Sequence, residues 1–172
     1  YRTVELGLSA CFHESQPAAP VIKRKGQTDA GTVGAIVFGS DQGLVGQFND
    51  VVADYAIKTL STLSGKPEVW AVGECVYARM ADAGIPLIGL FAVTNSVQSI
   101  TPLVGQIQIE SEARRAKGEY ARLYIFHNRP KSGALYEPVG QRLLPLDTTW
   151  QEGLAKVPWP TKIRPEVMGA GI

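Results

Sequence analysis

The sequence predicts an α/β fold built on a mostly parallel sheet, and three observations lead there. Short apolar runs at Val33–Phe38, 69–72, 87–93 and 120–127 are too compact for amphipathic helices and read as buried strands. The stretches between them carry apolar residues at helical spacing. A final apolar stretch, 134–146, follows a turn-rich loop at 128–133 and predicts a strand returning antiparallel to 120–127. Strands alternating with helices give βαβ units, so the expected architecture is a three-layer, Rossmann-like sheet with helices on both faces and an antiparallel edge strand.

Taken in order, residues 1–13 place Val4, Leu6, Leu8 and Cys11 at spacings that fit neither period, either the end of a helix or a short strand. Residues 14–32 are broken by Pro17, Pro20 and Gly26, and the cluster Lys23-Arg24-Lys25 is expected to be a solvated loop. After the first strand, Phe48, Val51, Val52, Tyr55, Ala56 and Leu63 share one helical face that ends near Ser64-Gly65. A short helix over 75–83 stops at Gly84, and Val97, Ile100, Val104 and Ile107 mark a long helix running out near Lys117-Gly118. Beyond Pro145, the prolines at 158, 160 and 165 predict neither a continuous strand nor a continuous helix. The domain organisation expected is a helix stub and linker over 1–32, a globular α/β domain over 33–146, and a proline-rich tail over 147–172.

Composition sets the class of protein. At 172 residues, with 45% hydrophobic and 19% charged residues, the chain suffices for one domain with a substantial core. A formal net charge of +1 gives no electrostatic reason for nucleic acid or an acidic membrane surface as partner. No apolar run approaches the roughly 20 residues that span a bilayer, and no basic-then-apolar leader is present, so no secretory signal is expected. Cys11, Cys75, His13 and His127 lack the paired spacing of a zinc site, so no metal is predicted. Trp150 and Trp159 flank the tail and are expected to pack as a cover unless exposed, where they would mark an interface.

The informative segment is Ser40-Asp41-Gln42-Gly43-Leu44-Val45-Gly46-Gln47-Phe48-Asn49, directly after the first strand. Ser40 and Asp41 offer side-chain oxygens to loose backbone N–H groups, Gly43 and Gly46 permit positive φ, and Asn49 or Asp50 is placed to cap the next helix. A strand, a glycine loop and a helix also invite a phosphate-binding reading. The spacing matches neither phosphate-loop pattern and no lysine follows it, so no cofactor and no ATP or ADP binding is predicted. An enzymatic alternative, a small α/β hydrolase or ligand-binding protein using the Ser40–Asp41 loop, would take Ser40 as nucleophile, His127 as base and Asp41 or Asp147 as orienting carboxylate. Gly39-Ser40-Asp41 is not a nucleophile elbow, which needs glycine on both sides of the serine. No catalytic residue is therefore assigned, and Ser40, Asp41, Gly43, Gly46 and Asn49 are expected to form a structural loop.

The same loop resembles the signature of the gamma subunit of F-type rotary ATP synthases. So does the pair Leu123-Tyr124-Ile125-Phe126-His127-Asn128 and Gln141-Arg142-Leu143-Leu144-Pro145-Leu146, which is similar to that family's hairpin ending in Leu-Leu-Pro-Leu. The likeness covers about 33–146. Gln42 stands where the family usually has Arg and Val45 where it commonly has Cys, which points to a divergent branch. The family's long flanking helices are not represented, so the resemblance implies the stalk's globular domain, with 1–13 as the stub of the first helix.

What the resemblance implies is mechanical: a non-catalytic central-stalk subunit coupling proton or sodium flow through the rotor ring to ATP turnover elsewhere. Its partners would be the catalytic hexamer, an epsilon-type subunit and the rotor ring. It would be peripheral at the cytoplasmic face of the cell membrane, touching the membrane only through those partners. The family's ring-facing segment corresponds to 150–164, which makes Trp159, Thr161, Lys162 and Arg164 the candidate partner interface.

Overall fold

The computed structural model describes residues 2–14, 31–132 and 135–158. They form two compact units, Gln27–Pro145 and a second made of Tyr1–Gly26 with Leu146–Ile172. The larger unit is a five-stranded sheet in the order β3-β2-β1-β4-β5. The strands are β1 (Val33–Phe38), β2 (Pro67–Val72), β3 (Leu87–Phe91), β4 (Arg122–Pro130) and β5 (Tyr136–Leu144). β1 lies parallel to both β2 and β4, β2 is parallel to β3, and β5 closes the other edge antiparallel to β4.

Strand alternation divides the core in two. Val33, Ala35 and Val37 of β1 face helices α2 (Phe48–Thr62) and α3 (Glu74–Asp82), which bury Val52, Ala53, Ala56, Leu60, Val76 and Met80 with Val69, Ala71 and Phe126. Ile36 faces the other way and packs with Trp70, Val72 and Leu123 under Ile107 of α4 (Ile100–Ala116). β1 through β3 fill one half of the sheet. α4 then carries the chain across to β4 on the far side of β1, so the strand order reverses between β1 and β4. This is the doubly wound, three-layer α/β architecture expected from the sequence, antiparallel edge strand included.

Two details differ from expectation. Val97, Ile100 and Val104 belong to the stripe that locates the long helix, yet of that stripe only Ile107 is buried. Residues Val97–Ser99 form a 3-10 turn, and α4 begins at Ile100. All three side chains are exposed, Val97 at 81%, while Leu103, Ile107 and Ser111 face the sheet. The tail is the second difference. A helix, α5 (Thr148–Ala155), fits the proline-free window between Pro145 and Pro158, and its N-cap Asp147 accepts from the Trp150 amide at 2.9 Å. Trp150 is partly exposed on that helix. Residues 2–14 form a helix, α1 (Arg2–Glu14), the first of the two readings the sequence left open, and within the smaller unit it packs against α5.

On the α4 face, one aromatic cluster carries polar ties into the core. Trp70, fully buried on β2, meets the Tyr120 ring edge-on with centroids 5.9 Å apart, and its Nε1 donates to Glu110 Oε1 at 3.1 Å. The Arg114 guanidinium lies 5.6 Å above the indole and pairs with Glu119 at 2.9 Å. Tyr120 donates its phenol proton to the Ser111 carbonyl at 2.6 Å. Burial, with Glu112 nearby, raises the pKa of this phenol above its usual 10.0. The folded state thus holds the Tyr120 proton more tightly than the unfolded chain does. The associated stability is complete below the unfolded value and is lost as pH climbs through the folded one. A Tyr120→Phe variant should lose about 1 kcal/mol at neutral pH with its hydrogen bond. In urea titrations above about pH 10 its stability should decline less steeply than the parent's, and parallel curves would contradict this.

Candidate functional site

The predicted loop sits where β1 delivers the chain to the carboxyl edge of the sheet, beside the strand-order reversal, where doubly wound folds place their ligands. Gly39 closes β1, donating its amide to the Val72 carbonyl at 2.8 Å. A Cβ there would lie 2.5 Å from Val76 Cβ and 2.7 Å from Asn49 Oδ1, so only glycine fits. Ser40 and Asn49 then close the loop on itself. The Ser40 amide donates to Asn49 Oδ1 at 2.8 Å, Asn49 Nδ2 donates to Ser40 Oγ at 3.0 Å, and that hydroxyl donates to the Gln42 carbonyl at 3.0 Å. Asn49 is 7% exposed and lies inside the first turn of α2.

The expected capping role of Asn49 or Asp50 is corrected by this arrangement. The N-cap position belongs to Gln47, which makes no side-chain bond to the helix, and the Asn49 carboxamide turns back to the strand end because it is buried against Ser40. Asp50 instead pairs with Arg79 of α3 at 3.1 Å. Of the two loop glycines, Gly46 adopts φ +60° while Gly43 does not enter the positive-φ region, and a Cβ at Gly43 would meet nothing. Leu44, between them, is fully exposed.

Asp41 ties this loop to its two neighbours. Its Oδ1 accepts from the Glu74 amide at 2.8 Å, which caps α3, and its Oδ2 accepts from the Val93 amide at 3.0 Å, just beyond β3. The Ser40 carbonyl accepts from the Cys75 amide at 3.1 Å. The approach requires Gly73, which has φ +112° and where a Cβ would lie 2.7 Å from the Ser40 carbonyl oxygen. Sequence reasoning did not single out Gly39, Gly73 or Val93. The signal for Gly73 was a lone glycine between a strand and a helix. An amide donor such as Val93 leaves no signal, since every residue but proline carries one.

This geometry decides what the loop can do chemically. The Ser40 hydroxyl donates to a backbone carbonyl, and His127 lies within β4 opposite Val139, outside the hydrogen bonds of Ser40. Both Asp41 oxygens are committed to amides, and Asp147 caps α5. The amide at the start of α3 that an anion at this edge would use is taken by Asp41. Among the described residues, no group of three or more His, Cys, Asp or Glu side chains converges as a metal site, and no helix is long and apolar enough to cross a membrane. Trp159, Thr161, Lys162 and Arg164 lie outside the described residues.

The fold and its loop define a doubly wound α/β module whose ligand edge is closed by its own side chains. A family model described as ATP synthase matches residues 1–169, and the chain belongs to that family, on the side of its gamma chains. It is 29% identical over 143 residues to the ATP synthase gamma chain of Nitrosomonas europaea, covering 78% of this chain and 48% of that one. To the gamma chain of Dechloromonas aromatica it is 27% identical over 137 residues, covering 78% and 47%. The chain thus spans about half the length of the curated relatives it matches. Among solved structures it is similar to the central stalk and c-ring structure of the Tetrahymena thermophila mitochondrial ATP synthase, with TM-score 0.56, 17% identity, and 95% of this chain and 66% of that one covered. A chain of the Euglena gracilis mitochondrial ATP synthase gives TM-score 0.51 at 12% identity, covering 82% and 50%. These structural likenesses establish the fold.

Replacing Asp41 with Ala removes both acceptors and should lower unfolding stability by about 1 kcal/mol, the usual worth of such a cap. The amides of Glu74 and Val93 should exchange with solvent faster in the variant. An unchanged melting temperature together with unchanged exchange at both amides would contradict the assignment.

Proposed function

We propose that this chain is part of the central-stalk, or rotor, subunit of a proton- or sodium-translocating F-type ATP synthase. In that role it couples ion flow through the rotor ring to ATP synthesis or hydrolysis on other subunits. Family membership supports the reading, and the observation that carries it is the loop itself. At the edge where a doubly wound enzyme holds its ligand, Ser40, Asp41 and Asn49 are spent on backbone groups of three neighbouring connections. A site built this way commits Ser40, Asp41 and Asn49 to the fold of the edge. In this reading the catalytic work belongs to partner subunits and the chain carries no cofactor of its own.

The partners in this reading are the catalytic hexamer, an epsilon-type subunit and the rotor ring. The chain is peripheral at the cytoplasmic face of the cell membrane, which it meets through those partners. The ring contact is assigned to the segment holding Trp159, Thr161, Lys162 and Arg164, where Pro158, Pro160 and Pro165 each fix φ and so reduce the entropy lost on ordering against a partner. Charge reversal at Lys162, built into the complete enzyme, should lower the number of ions pumped per ATP hydrolysed. ATP hydrolysis itself should continue. Pumping at the parent's efficiency would remove this segment from the ring interface.

A further inference from the structure

The β4–β5 hairpin touches the start of α2 at two points. Asn128 on β4 donates through Nδ2 to the Phe48 carbonyl at 2.8 Å. Tyr136, the first residue of β5, meets the Phe48 ring edge-on, with centroids 5.2 Å apart and planes at 66°. The Oδ1 of Asn128 is buried and accepts no hydrogen bond among the described residues, so the Phe48 carbonyl is what orients this carboxamide. Phe48 opens α2 and immediately precedes Asn49, whose side chain closes the loop on Ser40. Because Gln47 makes no side-chain bond at the helix N-terminus, the first turn of α2 is positioned from two sides, by Asn49 on the loop and by the hairpin.

We propose that the hairpin and the Ser40–Asn49 loop form one mechanical unit, with Phe48 and Asn49 as the link between them. A displacement of the hairpin moves the first turn of α2. Asn49 passes it to Ser40, and Asp41 passes it on to the start of α3 and the exit of β3. Every step is a direct hydrogen bond or ring contact, so the path is short and contiguous. The inference gives the proposed rotor role a load path, yet the coupling is a property of the folded chain alone. The test below can therefore fail while the stalk assignment stands, and the reverse also holds.

Amide hydrogen exchange on the 172-residue chain tests it. The Ser40 amide, held by Asn49 Oδ1, is the probe, and the Ile107 amide in α4, on the opposite face of the sheet, is the reference. Asn128→Ala and Tyr136→Leu should each speed exchange at Ser40 by about threefold or more, the size expected of a local opening, with Ile107 at its parent rate. Ser40 at its parent rate would overturn the proposal. So would equal acceleration of Ser40 and Ile107, which reports only a global loss of stability. Coupling free energies are reciprocal, which supplies a second measurement should the hairpin variants fail to fold. Ser40→Ala should accelerate exchange of the hairpin amides around Asn128, and hairpin amides at parent rates would overturn the proposal independently.

Discussion

The Asn49 carboxamide, buried in the first turn of α2 and bonded to the Ser40 amide and hydroxyl, is the interaction on which the carboxyl edge of the sheet depends. It fixes the direction in which the chain leaves β1. Only with Ser40 so placed does its carbonyl meet the Cys75 amide, and only then do the two Asp41 oxygens reach Glu74 and Val93. Three connections that are distant in sequence become one bonded edge. Buried carboxamides left unpaired cost free energy, so the clasp and the loop fold select one another.

The two glycines that flank this edge show how tightly it is built. Gly39 and Gly73 each sit where a methyl group would overlap a neighbour, against Val76 at one and against the Ser40 carbonyl at the other. Behind them the sheet is held on both faces by unlike means. The α2–α3 face is aliphatic, filled by Val, Ala, Leu and Met side chains about Phe126. The α4 face rests on Trp70 and Tyr120, whose polar atoms are satisfied by Glu110 and the Ser111 carbonyl. Direction and hydrogen bonding matter more on that second face, which holds α4 through Leu103, Ile107 and Ser111. Val97, Ile100 and Val104 remain exposed at its start.

Much of this was legible in the sequence where one physical signal dominates. The strands were marked by apolar runs and the helices α2 and α3 by their stripes, since periodicity and burial agree there. The helix α5 was not, because prolines at either end suggested an irregular tail while the residues between them were free to coil and had Asp147 as a cap. That Val97, Ile100 and Val104 are exposed while Ile107 of the same stripe is buried was not legible, because helical spacing marks a face and not what covers each turn of it. The loop residues Ser40 and Asp41 were legible as donors and acceptors for backbone. Their partners were not, because Glu74 and Val93 contribute main-chain amides that any sequence would offer, across separations only the fold brings together. Asn49 was recognised and given the wrong partner, since a carboxamide near a helix start can cap locally or reach back, and burial decides between them.

The proposed rotor reading turns on whether the domain moves as a body during catalysis. The most direct measurement tethers a probe to it in the assembled enzyme. Asp82→Cys, on the exposed end of α3, would carry a gold bead in a Cys11→Ser, Cys75→Ser background, with the complex fixed to glass through its catalytic hexamer. The account predicts that adding ATP makes the bead revolve continuously in one direction, and that withdrawing ATP stops it. A bead that stays still while the same immobilised complexes hydrolyse ATP would place this domain in the stationary part of the machine and contradict the account.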